Sequence, residues 1–264
     1  MLKIEGVTKI FNKGSVNEKV ALKNIGLELG EGEFVTVIGG NGAGKSTLLN
    51  CISGVFGIDS GRILLDNKDI SKEPEHKRSA FIGRVFQDPL MGTAFDMTIE
   101  ENLAIAYARG KKRGLLPGIP KADQAFFRER AAILELGLEN RMKEKVGRLS
   151  GGQRQALTLL MAAIVKPKLL LLDEHTAALD PSIAAKVLQL TDEVVKEHNL
   201  STLMITHNMK AALDHGTRTI MMHEGKLIMD IQGEERSGKT VDWLVEQFSR
   251  KSGTALDNDR MLLG

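Results

Sequence analysis

Apolar and polar residues alternate along 2–11 (LKIEGVTKIF) and again along 20–29 (VALKNIGLEL), the period-two pattern of strands that bury one face. FVTVIGG (34–40) is rich in β-branched residues and runs into glycines, after which STLLNCISG takes helical spacing. GRILLD (61–66) and IGRVFQ (82–87) predict two short strands. From about residue 97 the period changes to 3.6. TIEENLAIAYARG (98–110), ADQAFFRERAAILELG (122–137) and SGGQRQALTLLMAAIV (150–165) predict three helices. LLLLDE (169–174) and STLMITH (201–207) are apolar runs of the kind found in parallel strands covered on both faces. Between them, residues 182–199 (SIAAKVLQLTDEVVKEHN) predict a long amphipathic helix. TRTIMMHEGKLIMDIQG (217–233) predicts a hairpin turning at His223-Glu224-Gly225, and TVDWLVEQF (240–248) a last helix. Strands alternate with helices at both ends of the chain, which predicts an α/β fold with a parallel sheet. The helical stretch from roughly 90 to 160 lies between those halves as an inserted subdomain, and 251–264 is a polar tail.

Composition narrows this picture by exclusion. A length of 264 residues with 42% hydrophobic and 27% charged residues suits one large soluble domain with a subdomain. The formal net charge of +2 is too balanced for nucleic acid to be the expected partner. The single cysteine, Cys51, excludes an internal disulfide, fits a reducing compartment, and is read as a small buried packing residue. The longest apolar runs, 157–165 and 169–172, are too short to span a bilayer, and the first residues alternate instead of forming a signal-peptide core. The expectation is an intracellular protein that is soluble by itself and able to dock on a membrane protein.

Three stretches carry chemistry. Gly39-Gly40-Asn41-Gly42-Ala43-Gly44-Lys45-Ser46-Thr47 contains G-x-x-x-x-G-K-[ST] with a strand before it and a helix after it. Glycines there let backbone N–H groups converge on a phosphate, Lys45 reaches the β- and γ-phosphates, and the Ser46 hydroxyl can ligate Mg²⁺. In 169–174 an apolar strand ends in acids, so Asp173 sits at its C-terminal end, where it can hold Mg²⁺ or its water. Glu174, one residue on, can polarise a water for in-line attack on the γ-phosphate. Ser150, Gly151 and Gly152 open a second helix with a hydroxyl and backbone donors, another place for an anion.

GGNGAGKST, Gln87 in VFQDP, LSGGQRQ, LLLLDE, AALDP and His207 in ITH occur together and in this order. The set resembles the ATP-binding cassette ATPases, the motor subunits of ABC transporters, and the resemblance covers about residues 1–245. It implies a phosphate-loop NTPase of RecA-like core (about 1–88 and 161–250) with a β-rich N-terminal part and a helical subdomain at about 89–160. It also implies that two cassettes pack head to tail, each ATP lying between one subunit's phosphate loop and its partner's LSGGQ, here Ser150, Gly151, Gly152 and Gln153. In the same way it assigns Phe11 to stacking on adenine and Gln87 to Mg²⁺ or the attacking water. His207 is assigned to the γ-phosphate, and Asp180 to crossing the dimer interface. The one departure is His175, where many members have proline after the catalytic Glu. DEHTAALDP with ITHNM is similar to a bacterial importer group with amino acids, tryptophan-like ones included, among its proposed cargo.

From this resemblance follow ATP and Mg²⁺ as cofactors and a second copy or a paralogue as dimer partner. Integral membrane permease subunits, a solute-binding protein and a place on the cytoplasmic face of the cell membrane follow as well. QDPLMGTAFDMTIEENL (87–103), with Met91, Phe95 and Met97, is the expected permease-docking surface, and the basic stretch 109–113 is a candidate for acidic lipid or a partner loop. The alternative is a soluble cassette ATPase that moves no solute, such as an iron–sulfur assembly ATPase. A module that binds nucleotide without hydrolysing it fits less well, since Lys45, Glu174 and His207 are all present.

Overall fold

The computed structural model describes residues 1–110 and 119–253. In chain order it comprises β1 (Leu2–Phe11), β2 (Lys19–Leu29), β3 (Phe34–Gly39), α1 (Lys45–Ser53), β4 (Ser60–Leu65), β5 (Lys68–Asp69), α2 (Glu75–Arg78) and β6 (Ile82–Val85). Then follow α3 (Ile99–Tyr107), α4 (Lys121–Ala132), α5 (Gly151–Ala163), β7 (Leu169–Asp173), α6 (Pro181–His198), β8 (Ser201–Ile205), α7 (Met209–Asp214), β9 (Arg218–His223), β10 (Lys226–Gln232) and α8 (Val241–Ser252). The chain divides into two compact units, one of residues 1–78 with 199–264 and one of residues 79–198.

In the first unit, β1 pairs antiparallel with β2 and β4, and β4 with β5. The β1 alternation faces Leu2, Ile4 and Val7 inward. β3 pairs parallel with β8 and β9, and β9 antiparallel with β10. All six residues of β3 and all five of β8 are buried, as their unbroken apolar runs require. The β9–β10 hairpin turns at Glu224 and Gly225, both with positive φ (44° and 78°), the combination whose twist matches the flanking strands. α8 begins at Thr240, whose hydroxyl accepts from Trp243 N, and lays Leu244 and Phe248 against Ile38, Met221 and Met229. In the second unit, β6 and β7 pair in parallel, and β7 is buried along its length. α5 packs on β6 and on α6.

Besides the short β5 and α2, which went unpredicted, three elements differ from the sequence expectation. The helix expected over 122–137 ends at Ala132, because Glu135 (φ 52°) and Gly137 (φ 71°) turn left-handed. The strand expected over 82–87 pairs only as far as Val85. α7, at six residues, shows less than two turns of periodicity and went unpredicted; Asn208 starts it by accepting from Ala211 N at 2.8 Å. Part of the basic stretch 109–113 and most of the tail 251–264 lie outside the described residues.

Candidate functional site

The first unit carries the phosphate loop. β3 feeds straight into it, and two glycines there have no substitute. A Cβ on Gly39 would stand 2.2 Å from Met222 O, and one on Gly44 (φ 100°) 2.6 Å from Ala21 O. The loop is pinned from outside by Gly225 N, which donates to Ala43 O at 2.9 Å. Gly44 is the N-cap of α1 and has no side chain to offer the helix. Lys45, 5% exposed, turns its Nζ back across the loop to the carbonyls of Gly39 (2.8 Å) and Gly40 (3.1 Å). The result is a concave run of backbone with an ammonium at its centre and a helix start behind it, which fits a polyphosphate. Asn41, Gly42 and Ser46 are exposed, and Thr47 is half-buried.

The far end of α1 is closed by a residue that sequence reasoning missed. Arg78, 2% exposed, donates to Cys51 O, Ile52 O and Glu73 O (2.8 Å each) and to Ser71 O (3.0 Å). Its guanidinium therefore satisfies carbonyls that the helix end leaves without partners. Cys51 is fully buried beside it, and burial pushes its thiol up to about 11, so it is an unreactive packing residue as expected.

Elsewhere in this unit, Phe11 is half-buried at the end of β1, with its ring edge-on to Phe56 at 5.3 Å and Lys9 Nζ 5.4 Å from its centroid. His207 lies between β8 and α7. On one side Thr206 N donates to Val37 O (3.1 Å), and on the other Asn208 N donates to Thr206 Oγ1 (3.0 Å).

The second unit carries the acidic residues and the second helix start. Asp173 ends β7, and its carboxylate takes a 3.2 Å salt bridge from Arg84 on β6, with both side chains nearly buried (12% and 11% exposed). Arg84 also lies over the Phe86 ring, 4.6 Å from its centroid. Glu174 follows with φ 47°, and His175 is buried behind it. Gln87 is exposed just beyond β6. One turn into α5, Gln155 (1% exposed) donates from Nε2 to Phe86 O at 3.3 Å, tying that helix to the residue before Gln87.

At the start of α5, Ser150 Oγ accepts from Gln153 N (3.3 Å) and Gln153 Oε1 accepts from Ser150 N (3.2 Å), a complete capping box. The two glycines there differ in exposure. Gly151 is exposed, whereas Gly152 is buried where a Cβ would meet Ile183 Cγ2 at 2.2 Å, so its bareness serves the packing of α5 on α6. Asp180 is exposed, one residue before Pro181 opens α6.

The expected site residues thus divide between the units. Phe11, residues 39–47 and His207 belong to the first; Gln87, residues 150–153, Asp173, Glu174 and Asp180 belong to the second. Arg84 interrupts the apolar pattern of 82–87, and that break was the signal that could have marked it. Nothing in the local sequence marks Arg78.

A buried strand, a glycine loop closed on a lysine and a helix start without a side-chain cap define a phosphate-loop nucleotide-binding protein. Residues 22–177 match the ABC transporter family, and the chain belongs to it. It is 43% identical over 251 residues to a tyrosine transport ATP-binding protein of Clostridioides difficile, covering 94% of this chain and 98% of that one. It is 34% identical over 234 residues to the energy-coupling factor transporter ATP-binding protein EcfA2 of Clostridium tetani, covering 87% and 78%. Among solved structures, the dimeric post-hydrolysis ATP-binding cassette MJ0796 bound to ADP and Pi matches with a TM-score of 0.76 and 30% identity, over 88% of this chain and 98% of that one. The protein is a transport ATPase with a phosphate-loop NTPase fold. Its relatives are named for transport, which sets aside the iron–sulfur alternative. No helix among the described residues is long and apolar enough to cross a membrane.

Proposed function

We propose that this chain powers an importer of amino acids, hydrolysing ATP at two sites shared by a pair of cassettes. The observation that carries the reading is that one chain holds both a phosphate loop and an exposed second helix start at Ser150–Gly151. The first belongs to one unit of the chain and the second to the other. In this reading the backbone of 39–47 and the Lys45 ammonium bind the β- and γ-phosphates, while Phe11 stacks on adenine. Ser46 Oγ and the Asp173 carboxylate are one neutral and one anionic oxygen. Oxygens of this kind are what Mg²⁺ takes, and these two would hold it. Bound there, Mg²⁺ would neutralise charge on the β- and γ-oxygens.

Glu174 polarises the attacking water, with Gln87 beside that water and His207 donating to the γ-phosphate. Ser150, Gly151, Gly152 and Gln153 of a second copy meet the γ-phosphate from the opposite side, and Asp180 crosses between copies. ATP then closes the pair and ADP releases it, a ligand-biased two-state switch. Leu90, Met91 and Phe95 are 47%, 69% and 49% exposed just after Gln87, an apolar patch suited to gripping a helix of a permease subunit. The working place is the cytoplasmic face of the cell membrane, with a solute-binding protein serving the permease. The tyrosine transport relative supports a cargo of aromatic amino-acid type.

The test is to purify tagged Glu174→Gln from gently solubilised membranes of the native host with Mg-ATP. The expected result is a closed dimer by size-exclusion chromatography together with a multi-span membrane protein by mass spectrometry. A strictly monomeric chain with only soluble partners would overturn the reading.

A further inference from the structure

Glu174 stands in an uncomfortable conformation. Its φ of 47° is one that bulky L-residues seldom adopt, and it links the buried strand β7 to a turn in which Glu174 O accepts from Ala177 N at 3.0 Å. Something must hold it there. The next residue, His175, is 2% exposed and places Nε2 3.1 Å from Thr191 Oγ1 in the middle of α6. Thr191, 1% exposed, donates its hydroxyl to Val187 O, one turn back in the same helix, at 2.8 Å. A hydroxyl has one proton. With that proton committed to Val187, Oγ1 can only accept from His175, so Nε2 carries a proton. The ring is therefore fixed in orientation and in donor state by a helix backbone.

We infer that His175 is a positioning residue for hydrolysis: through Nε2–H and Thr191 it anchors the left-handed turn that aims the Glu174 carboxylate. The link rests on the reading of Glu174 as the group that polarises water. It acts on the chemical step and not on nucleotide binding, because neither His175 nor Thr191 belongs to the phosphate loop.

ATPase kinetics and binding of a fluorescent ADP by the full chain test it. Thr191→Val keeps shape and removes the acceptor. It should lower kcat about tenfold, the scale on which a small misplacement of a reacting group is felt, with KM for ATP and ADP affinity within about twofold. Thr191→Ser restores the hydroxyl, and His175→Gln places an amide N–H at similar reach; both should stay within about twofold of the parent. His175→Ala serves as a second loss variant should Thr191→Val fold poorly, folding being checked by thermal melting. Parent kcat in a folded loss variant would overturn the link, as would KM and ADP affinity weakening in step with kcat. Failure of Thr191→Ser and His175→Gln to retain activity would overturn it too. Full hydrolysis by Glu174→Gln is a different failure, since it removes the role assigned to Glu174 itself.

Discussion

The two units each present the start of a helix, and the two starts are finished in opposite ways. α5 is complete in itself: Ser150 and Gln153 satisfy each other's backbone N–H groups. α1 begins at a glycine with φ 100° and no capping side chain, and its first residue is a buried lysine turned back on the loop that precedes it. The far ends, by contrast, are alike. Arg78 donates to the last carbonyls of α1, and Arg109 donates from one nitrogen to Ala162 O and Val165 O at the end of α5, both at 2.9 Å. Both helices thus keep a cation at the negative end of the dipole. Only one keeps its positive end free of side-chain caps, which makes an anion the natural cap of α1 and an optional visitor to α5.

The sharpest way to break that contrast is to compare the two starts in nucleotide binding by the single chain. Lys45→Ala should weaken binding by about a hundredfold or more, since a charge-assisted contact to a phosphate is worth about 3 kcal/mol. Ser150→Arg should leave monomer affinity within about twofold, as read by titration with a fluorescent nucleotide, and should prevent ATP-dependent dimer formation. Equal losses in both would mean that the starts are not functionally distinct.

Next in size is the closure at the far ends. Arg78→Met strands carbonyls in a buried place and should cost about 3 kcal/mol locally. Arg109→Met, which removes two donated bonds from a half-buried side chain, should cost about 2 kcal/mol. Hydrogen exchange should show the loss in α1 and in the 71–78 segment that Arg78 also holds in the first variant, and in α5 in the second. Uniform loss across both units would sink the idea that each arginine serves its own helix.

How much of this could be read in the sequence follows from how local each cause is. The phosphate loop, β3, β7 and β8 were legible because spacing and unbroken apolar runs are local signals; the helix start at Ser150 was legible too, but it was read as open to an anion, without the Ser150–Gln153 box that closes it. The arginine closures were not. Arg78 reaches Cys51 O across 27 positions, and Arg109 reaches Ala162 O across 53, so only the fold reveals them. The packing of Gly152 was not legible either, because nothing in LSGGQ shows that Ile183 will lie against it. His175 stood out only as a departure from proline, and its bond to Thr191 spans 16 positions.

The smallest effect is the most telling for the contrast. Ser150→Ala removes a cap and should cost about 1 kcal/mol at the start of α5, while Ser150→Asp, which can still cap, should cost only a few tenths. Those costs arise within one helix turn, so for the single chain they should be the same with or without ADP. α1 should behave otherwise. Saturating ADP at about 100 times its Kd adds about 2.7 kcal/mol to states that bind it, and this should appear as slowed exchange of the amides at 44–48. If ADP protects the α5 start of a single chain as strongly as it protects α1, then α5 is also a nucleotide site within one copy. Its capping box would then be no sign of self-sufficiency, and the second copy would not be needed to explain why the chain has two such helix starts.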